Sequence, residues 1–264
     1  MNELVAGLIG EPVAFEILKS KPGRRQTLRA SGPRGRVIVK AYAMPRARTV
    51  AARLSALAGG PAEPVIPEVL GVDPEGRFVI LSEVRGRTLG DRLLARDADA
   101  PVRVGNALGR WHRAWALRLP PVLRPHTVER EREILEARLA GLPAGLARRI
   151  RRAAAIPARW DPVSVVHRDL YEEQILVADR IGLIDLDDAA LGPPELDLGN
   201  LLAHLELLEL RSGRQLREQR HDLLRSYLAD GPPIDMALLE DCRRLSLLRL
   251  AAIHRLEPLL ERCS

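Results

Sequence analysis

The sequence predicts an α+β protein with two lobes, a small β-rich lobe followed by a larger, mainly helical lobe. Two observations support this. The first 85 residues contain short β-branched runs between Gly and Pro turns, the pattern of an antiparallel meander. After Gly86 most apolar residues recur at three- and four-residue spacing, which is typical of helices. We therefore expect one lobe at residues 1–85 and a second at 86–264.

The first lobe is predicted to form a small antiparallel sheet and one helix. Its strands are expected at 15–18, 26–29, 36–42, 69–72 and 77–84, with turns at 21–25, 31–35 and 73–76. The helix is expected over 46–58, because Val50, Leu54 and Leu57 recur there at helical spacing. No internal repeat or low-complexity linker interrupts this part of the chain.

The second lobe is predicted to be helical with a short β-insert. Helical stretches are expected over 88–116, 128–155 and from 198 to the end, the last broken at Gly213 and at 231–233. The insert consists of strand-like runs at 163–166, 175–177 and 181–186.

The composition indicates a globular protein of the reducing cytoplasm. Hydrophobic residues make up 46% of the 264 residues and charged residues 29%, enough apolar material for a real core. No apolar run approaches the roughly 20 residues of a membrane helix, and the N-terminus lacks the pattern of a signal peptide. The two cysteines, Cys242 and Cys263, have no metal-ligand spacing. We expect neither membrane attachment nor a disulfide scaffold.

The net charge of +6 raises the possibility of a basic nucleic-acid-binding domain. The arginines are spread along the chain and interleaved with acids, as in the run at 129–133. Aromatic residues, on which bases would stack, make up only 3% of the chain. We therefore expect no nucleic-acid partner.

The most informative segment lies at 165–177 and contains His167-Arg168-Asp169-Leu170. Gln174 follows Asp169 by five residues, and Asp185 follows it by sixteen. Phosphoryl transfer to a hydroxyl needs one Asp to accept the hydroxyl proton and oxygen ligands for Mg²⁺. The order and spacing of these polar residues predict that chemistry.

This ordered set resembles the catalytic segment of the aminoglycoside phosphotransferase family, small-molecule kinases of the kinase-like superfamily. The resemblance implies a protein-kinase-like fold, Asp169 as catalytic base and Asp185 as the principal Mg²⁺ ligand. Gln174 stands where the family usually has Asn, and its amide oxygen is a second candidate metal ligand. Asp187 replaces the glycine of the protein-kinase motif, a position that suits a contact to the metal or to its ligands.

Two further residues of the motif are expected to support the catalytic loop. Asp197, in the run Gly192-Pro193-Pro194-Glu195-Leu196-Asp197, matches the family's later Asp, a structural brace. His167 is interpreted as a hydrogen-bonded scaffold residue, because the motif assigns the base to Asp169.

The N-terminal lobe carries the residues expected to bind nucleotide. Lys40 closes the run at 37–40 and matches the strand lysine that holds the α- and β-phosphates. The following helix has no acid to orient Lys40, so Glu63 and Glu68 are considered instead. The glycine-rich loop is reduced to a turn with Gly23. From that turn Arg24 or Arg25 could reach phosphates, although a plain basic turn explains it equally well.

The segment at 81–86 resembles the family's hinge between the lobes. There the adenine would be recognised by backbone groups, the Ser82 carbonyl and the Val84 amide.

The expected function is transfer of a phosphoryl group from ATP or GTP, with Mg²⁺, to a small hydroxyl-bearing molecule. Eleven residues separate Asp185 from Asp197, too few for an activation segment, so a protein substrate is not expected. The alternative is an inactive pseudoenzyme that binds nucleotide or a metabolite, suggested by the missing helix Glu, the reduced glycine loop and Gln174. Five acids of the last helices suit either a cationic acceptor or a solvated face: Glu206, Glu209, Glu218, Asp222 and Asp241.

Overall fold

The computed structural model describes residues 1–154, 157 and 159–263, and it has the predicted α+β architecture. The N-terminal elements are α1 (Asn2–Ile9), β1 (Ala14–Lys21), β2 (Arg25–Gly32), β3 (Gly35–Tyr42), α2 (Ala47–Leu57), β4 (Val69–Val72) and β5 (Phe78–Ser82). The five strands form one antiparallel sheet in the order β1-β2-β3-β5-β4. Strands β1 to β3 confirm the predicted meander, and β4 and β5 form the predicted second hairpin, whose strand β5 pairs with β3.

The remaining elements are mostly helices. They are β6 (Arg87–Thr88), α3 (Leu89–Leu94), α4 (Asp99–Ala116), α5 (Val128–Leu139), α6 (Ala144–Ala153), β7 (Ser164–Val166), β8 (Ile175–Val177), β9 (Ile181–Leu183), β10 (Ala190–Gly192), α7 (Pro194–Ser212), α8 (Arg217–Asp230), α9 (Met236–His254) and α10 (Pro258–Glu261). Helix α4 packs against α8, and α7 packs against α9. No helix of the described ranges is both long and apolar enough to cross a bilayer.

Helix α1 is an element that the sequence pattern of the first 85 residues, which indicates strands and turns, does not predict. Val5 and Ile9 lie one helical turn apart and are buried, and they pack with Leu28, Val37 and other apolar side chains of the sheet. The four-residue spacing of these two side chains is the signal that could have revealed the helix.

Helix α2 covers the sheet near the second lobe and confirms the predicted helix at 46–58. Val50, Leu54 and Leu57 are all buried, as their spacing predicts. They belong to a hydrophobic cluster that also includes residues of β5, α4, α7 and α8. The sheet and the helices therefore share one core across the interface where the candidate site lies.

The helical stretches are correctly placed but divided more finely than predicted. The stretch at 88–116 breaks after α3, where Arg96 has a positive φ and the Asp97 carboxylate accepts hydrogen bonds from the first amides of α4. The stretch at 128–155 breaks between α5 and α6, and its last residue, 155, lies outside the described residues, as does 264. The breaks at Gly213 and 231–233 are confirmed.

The β-insert positions the motif residues. Strand β7 pairs with β10, and β8 lies between β6 and β9 in a second small sheet. The segment at 167–174, predicted to be the catalytic loop, connects β7 to β8, and Asp185 lies two residues after the end of β9. Strand β9 ends at Leu183, earlier than the predicted 186, and Asp185 adopts the left-handed conformation with φ 65°.

Candidate functional site

Hydrogen bonds to its backbone hold the loop at 167–174 in place. The Asp197 carboxylate, buried at the start of α7, accepts hydrogen bonds from the backbone amides of His167 and Arg168 at 2.6 and 2.8 Å. His167 Nε2 donates to the Ile184 carbonyl at 2.8 Å and so links this loop to the segment that carries Asp185. The structure thus brings together the two residues that were predicted to support the loop.

Asp169 lies beyond this anchored backbone and is exposed. It lines a cavity of about 210 Å³ together with Asp185 and Asp188. Lys21, at the end of β1, and Arg24, in the turn that follows, line the same cavity. Asp169 has no hydrogen-bonding partner among the described residues, so its carboxylate is available to a molecule in this cavity.

Asp185 is held by two cations of the first lobe. Arg25 makes a two-point ion pair with it, at 2.8 and 2.9 Å, and Lys40 Nζ lies 2.9 Å from Oδ1. Burial alone would raise the pKa of Asp185, but the charges of Lys40 and Arg25 outweigh burial and hold that pKa well below its usual range. Asp185 is therefore ionised at every pH of practical interest.

Asp187 lies behind Asp185 and is the more deeply buried of the two, with 3% of its side chain exposed against 17%. Its carboxylate accepts hydrogen bonds from Lys40 at 2.5 Å, Arg25 at 2.6 Å and the Tyr42 hydroxyl at 2.8 Å. Burial and the Asp187 charge raise the pKa of Tyr42 above its ordinary value, so the phenol stays protonated as a donor.

Lys40 is oriented by this acidic pair and not by the two glutamates considered from the sequence. Glu63 forms an ion pair with Arg110 and accepts a hydrogen bond from the Ile181 amide. Glu68 is exposed, and its backbone pairs with Ser82. The sequence signal for these partners was present, because Asp187 follows Asp185 by two residues in the segment predicted to bind the metal.

The sequence did not place four further residues in the charged cluster around Lys40, Asp185 and Asp187. Tyr42 lies two residues after Lys40, hence on the same face of β3. Arg46 and Arg53, from the start and middle of α2, donate to Asp188 and to the Asp187 carbonyl respectively. Asp188 lies beside Asp187 on the short turn at 186–188. The strand period could have indicated Tyr42, whereas the helix contacts depend on distant packing.

The larger cavity, about 660 Å³, opens between the sheet and the second lobe. Predicted nucleotide-binding residues that line it are Arg25, Lys40, Ser82 and Val84, and Gln174 and Asp185 line it too. Arg24 lines the smaller cavity instead. Arg25 and Asp185 line both cavities, so the two spaces meet at this ion pair.

The hinge segment at 81–86 forms one wall of the larger cavity. The Val84 amide donates to no backbone or side-chain group of the described residues, so it is free to bind a ligand edge. Ile38, Leu81, Leu176 and Ile184 add apolar surface to the same cavity. A planar base fits this combination of apolar walls and a backbone donor.

The donor set around Asp185 suits a magnesium ion that is shared with a nucleotide. Asp185 offers carboxylate oxygens and Gln174 offers an amide oxygen on the wall of the same cavity. In the part of the chain that the structure describes, no group of three or more His, Cys, Asp or Glu side chains could hold a metal ion. Nucleotide-bound Mg²⁺ commonly uses one or two protein carboxylates and completes its shell with phosphate oxygens and water. Asp187 lines neither cavity.

The acids of the last helices are mostly engaged with arginines. Glu206 pairs with Arg220 and Arg243, and Glu209 pairs with Arg220 and Arg262. Asp222 pairs with Arg225. Glu206 and Glu209 therefore help to hold the helices together, whereas Asp222 is paired within α8.

Residues 23–238 match the sequence model of a family described as the phosphotransferase enzyme family, APH. No curated protein matches the chain significantly.

Many solved structures share the fold at low identity. Choline kinase LicA from Streptococcus pneumoniae superposes with a TM-score of 0.67 at 15% identity, covering 99% of this chain and 89% of that chain. An aminoglycoside-3'-phosphotransferase of type VIII gives 0.67 at 19% identity, covering 94% and 98%. Amicoumacin kinase hAmiN, in complex with AMP-PNP, Ca²⁺ and Ami, gives 0.68 at 14% identity, covering 94% and 86%. These likenesses confirm the predicted kinase-like fold.

Proposed function

The chain belongs to the phosphotransferase enzyme family, and from this premise we propose that it transfers the γ-phosphoryl group of ATP or GTP to a hydroxyl of a small molecule. The acceptor class is an aminoglycoside-like antibiotic or a hydroxylated metabolite. In this proposal residues 1–85 bind the nucleotide, and residues 86–264 supply the catalytic loop and the acceptor site. Solved structures with this fold include choline and amicoumacin kinases, one of them bound to AMP-PNP and Ca²⁺.

One observation carries the proposal. The larger cavity has the size and lining of a nucleotide site, the smaller one exposes Asp169, and the two meet at Asp185 and Arg25. A nucleotide whose base lies against the hinge would direct its phosphates toward that junction. An acceptor beside Asp169 would then face the terminal phosphate.

Each side chain has a distinct task in this arrangement. Asp169 orients the acceptor hydroxyl and takes its proton as the oxygen attacks phosphorus. Lys40, Arg24 of the β1–β2 turn and Arg25 at the start of β2 bind phosphate oxygens, while Ser82 and Val84 present backbone groups to the base. Asp185 and Gln174 would hold Mg²⁺, which when bound neutralises charge on the phosphates. His167 and Asp197 keep the loop in place.

The proposal is tested by separating nucleotide binding from turnover. Thermal stability is measured with Mg²⁺ alone and with Mg²⁺ plus ATP, GTP or a non-hydrolysable analogue. A ligand at a hundred times its Kd stabilises the folded state by about 2.7 kcal/mol. ADP formation is then followed with a panel of hydroxylated acceptors, beginning with aminoglycosides and choline.

Two variants sharpen the test. Asp169→Asn should keep the thermal shift with nucleotide while turnover falls by about two or more orders of magnitude. Asp185→Ala should lose the Mg²⁺-dependent shift. Asp179→Asn, an exposed Asp between β8 and β9, is the matched control and should change neither. A shift with nucleotide but no turnover of any acceptor would favour the pseudoenzyme alternative, and full turnover by Asp169→Asn would refute the proposal.

A further inference from the structure

The Lys40 ammonium has two carboxylate partners that differ in their access to the nucleotide cavity. Asp185 lines that cavity, so a bound ligand competes with Lys40 for its oxygens. Asp187 lines neither cavity and stays in contact with Lys40 Nζ at 2.5 Å. Asp187 is thus the partner that can hold the ammonium while the cavity is filled.

Asp187 is itself fixed from three sides. The Tyr42 hydroxyl donates to Oδ2 from the same strand that carries Lys40, two residues further on. Arg25 Nη1 donates to the same oxygen, Oδ2, at 2.6 Å, and Arg53 of α2 donates to the Asp187 carbonyl. A carboxylate bound at both its side chain and its backbone has little freedom to turn away from Lys40.

The charges on helix α2 complement this arrangement. The helix and its N-cap residue carry arginines and no acid, and two of these arginines, Arg46 and Arg53, contact the turn at 186–188. An acid on the helix is therefore unnecessary, because the turn supplies the acid to Lys40 and the helix supplies cations to the turn. The strand, the helix and the turn are linked by one continuous set of charged contacts.

We infer that Asp187 is the positioning residue that holds Lys40 toward the nucleotide phosphates, and that it acts through Lys40 without contacting the metal. This inference rests on the proposed function, since it assumes that Lys40 binds nucleotide. It gives Asp187 the role of orienting Lys40, for which the sequence offers no acid on helix α2.

The test measures binding of ADP by calorimetry at saturating Mg²⁺ and without an acceptor, so that no turnover occurs. Asp187→Asn should weaken ADP binding by about 5- to 10-fold, the effect expected from one charge-assisted hydrogen bond. Asp188→Asn removes the same charge one residue away and breaks the Arg46 pair, but leaves the contact with Lys40. It should leave ADP binding unchanged or slightly tighter, because it removes a negative charge near the phosphates.

A double-mutant cycle separates positioning from a general structural effect. In a Lys40→Met background, Asp187→Asn should cause a clearly smaller loss of ADP affinity, limited to what its contact with Arg25 contributes. The concentration of Mg²⁺ that half-saturates ADP binding should shift no more in Asp187→Asn than in Asp188→Asn. Tyr42→Phe keeps every charge, and it provides a milder variant if Asp187→Asn fails to fold. It should weaken ADP binding by about 2- to 3-fold, again only when Lys40 is present.

The possible outcomes distinguish a failure of this inference from a failure of the proposed function on which it rests. If Lys40→Met binds ADP like the native chain, the proposed function fails and the inference falls with it. If Lys40→Met weakens binding but Asp187→Asn behaves like Asp188→Asn, the inference alone is overturned. A loss that persists undiminished in the Lys40→Met background would also overturn it, because the effect would then not pass through Lys40.

Discussion

Arg25 and Asp185 face each other in a two-point ion pair, with Nη1–Oδ1 and Nη2–Oδ2 distances of 2.8 and 2.9 Å. The two residues come from opposite lobes and line both cavities. Planar guanidinium and carboxylate groups in this geometry form some of the strongest ion pairs in proteins. The acid predicted to hold the metal is therefore engaged by a cation in this structure.

Removal of Arg25 should strengthen metal binding in the absence of nucleotide. Arg25→Met takes a positive charge from beside Asp185, and we expect Mn²⁺ to bind about tenfold more tightly, the order of magnitude for a partly screened contact charge. Binding is measured by calorimetry without nucleotide. Arg24→Met is the matched control, since Arg24 is the neighbouring residue in the chain but does not bond to Asp185, and it should have a much smaller effect. Equal affinities for native chain and Arg25→Met would contradict the competition between arginine and metal.

The brace on the catalytic loop should contribute substantially to stability. In Asp197→Asn one amide N–H₂ group faces a backbone N–H that was bound by a carboxylate oxygen. A buried donor without a partner and a lost charged acceptor together cost about 2–3 kcal/mol. The melting temperature should fall by roughly 4–10 °C. Asp222→Asn, which removes an exposed helix ion pair, serves as control and should shift it by less than about 2 °C. A similar small shift in both variants would rule out the brace.

Glu172 should make stability depend on pH. Burial raises the pKa of Glu172 to about 7, and its Oε2 has no hydrogen-bonding partner among the described residues. His204 Nδ1 lies 3.7 Å away, but burial lowers the pKa of His204 to about 3, so the imidazole is neutral and forms no ion pair. Between pH 4.5 and 7 the folded state retains a proton that the unfolded chain releases. The contribution of Glu172 therefore becomes less favourable as pH rises through this window.

Glu172→Gln removes this titration. The gain in the free energy of unfolding from Glu172→Gln should be about 1–3 kcal/mol larger at pH 8 than at pH 5. Urea denaturation at the two pH values measures it. The exposed neighbour Glu173→Gln is the control and should show no such difference. A gain from Glu172→Gln that is independent of pH would mean that the carboxyl is not protonated in the native state.

Close packing of α4 on α8 should make Gly105 intolerant of substitution. A Cβ at this position would lie 2.2 Å from the Leu223 carbonyl oxygen and 2.9 Å from Ser226 Cβ, so a helix must shift. Gly105→Ala should destabilise the protein by about 2–4 kcal/mol. Gly145→Ala in α6 meets nothing within 4 Å and should be neutral or stabilising by up to about 1 kcal/mol. Thermal unfolding of the two variants gives the comparison, and similar melting temperatures would contradict the close approach.

Most of the fold could be predicted from local sequence patterns. The hairpins at β1–β3, the buried face of α2 and the break at Gly213 were all predictable, because turn residues and the helical period act over a few neighbouring positions. Helix α1 was not predicted, because its two buried residues, Val5 and Ile9, are too few to define a helical period by themselves. The split of 88–116 depended on one capping Asp within a stretch that otherwise reads as helix.

The sequence by itself determined which residue types surround the candidate site. Asp169, Gln174 and Asp185 lie in one continuous segment of short strands and turns, which leaves few alternative arrangements of the three side chains. Tertiary structure decided which charges meet. Arg25 and Asp185 are 160 positions apart, and Lys40 and Asp187 are 147 apart. Among many arginines and acids of similar chemistry, the choice of partner depends on how the sheet, α2 and the turn at 186–188 pack together, because charged hydrogen bonds act over about 3 Å.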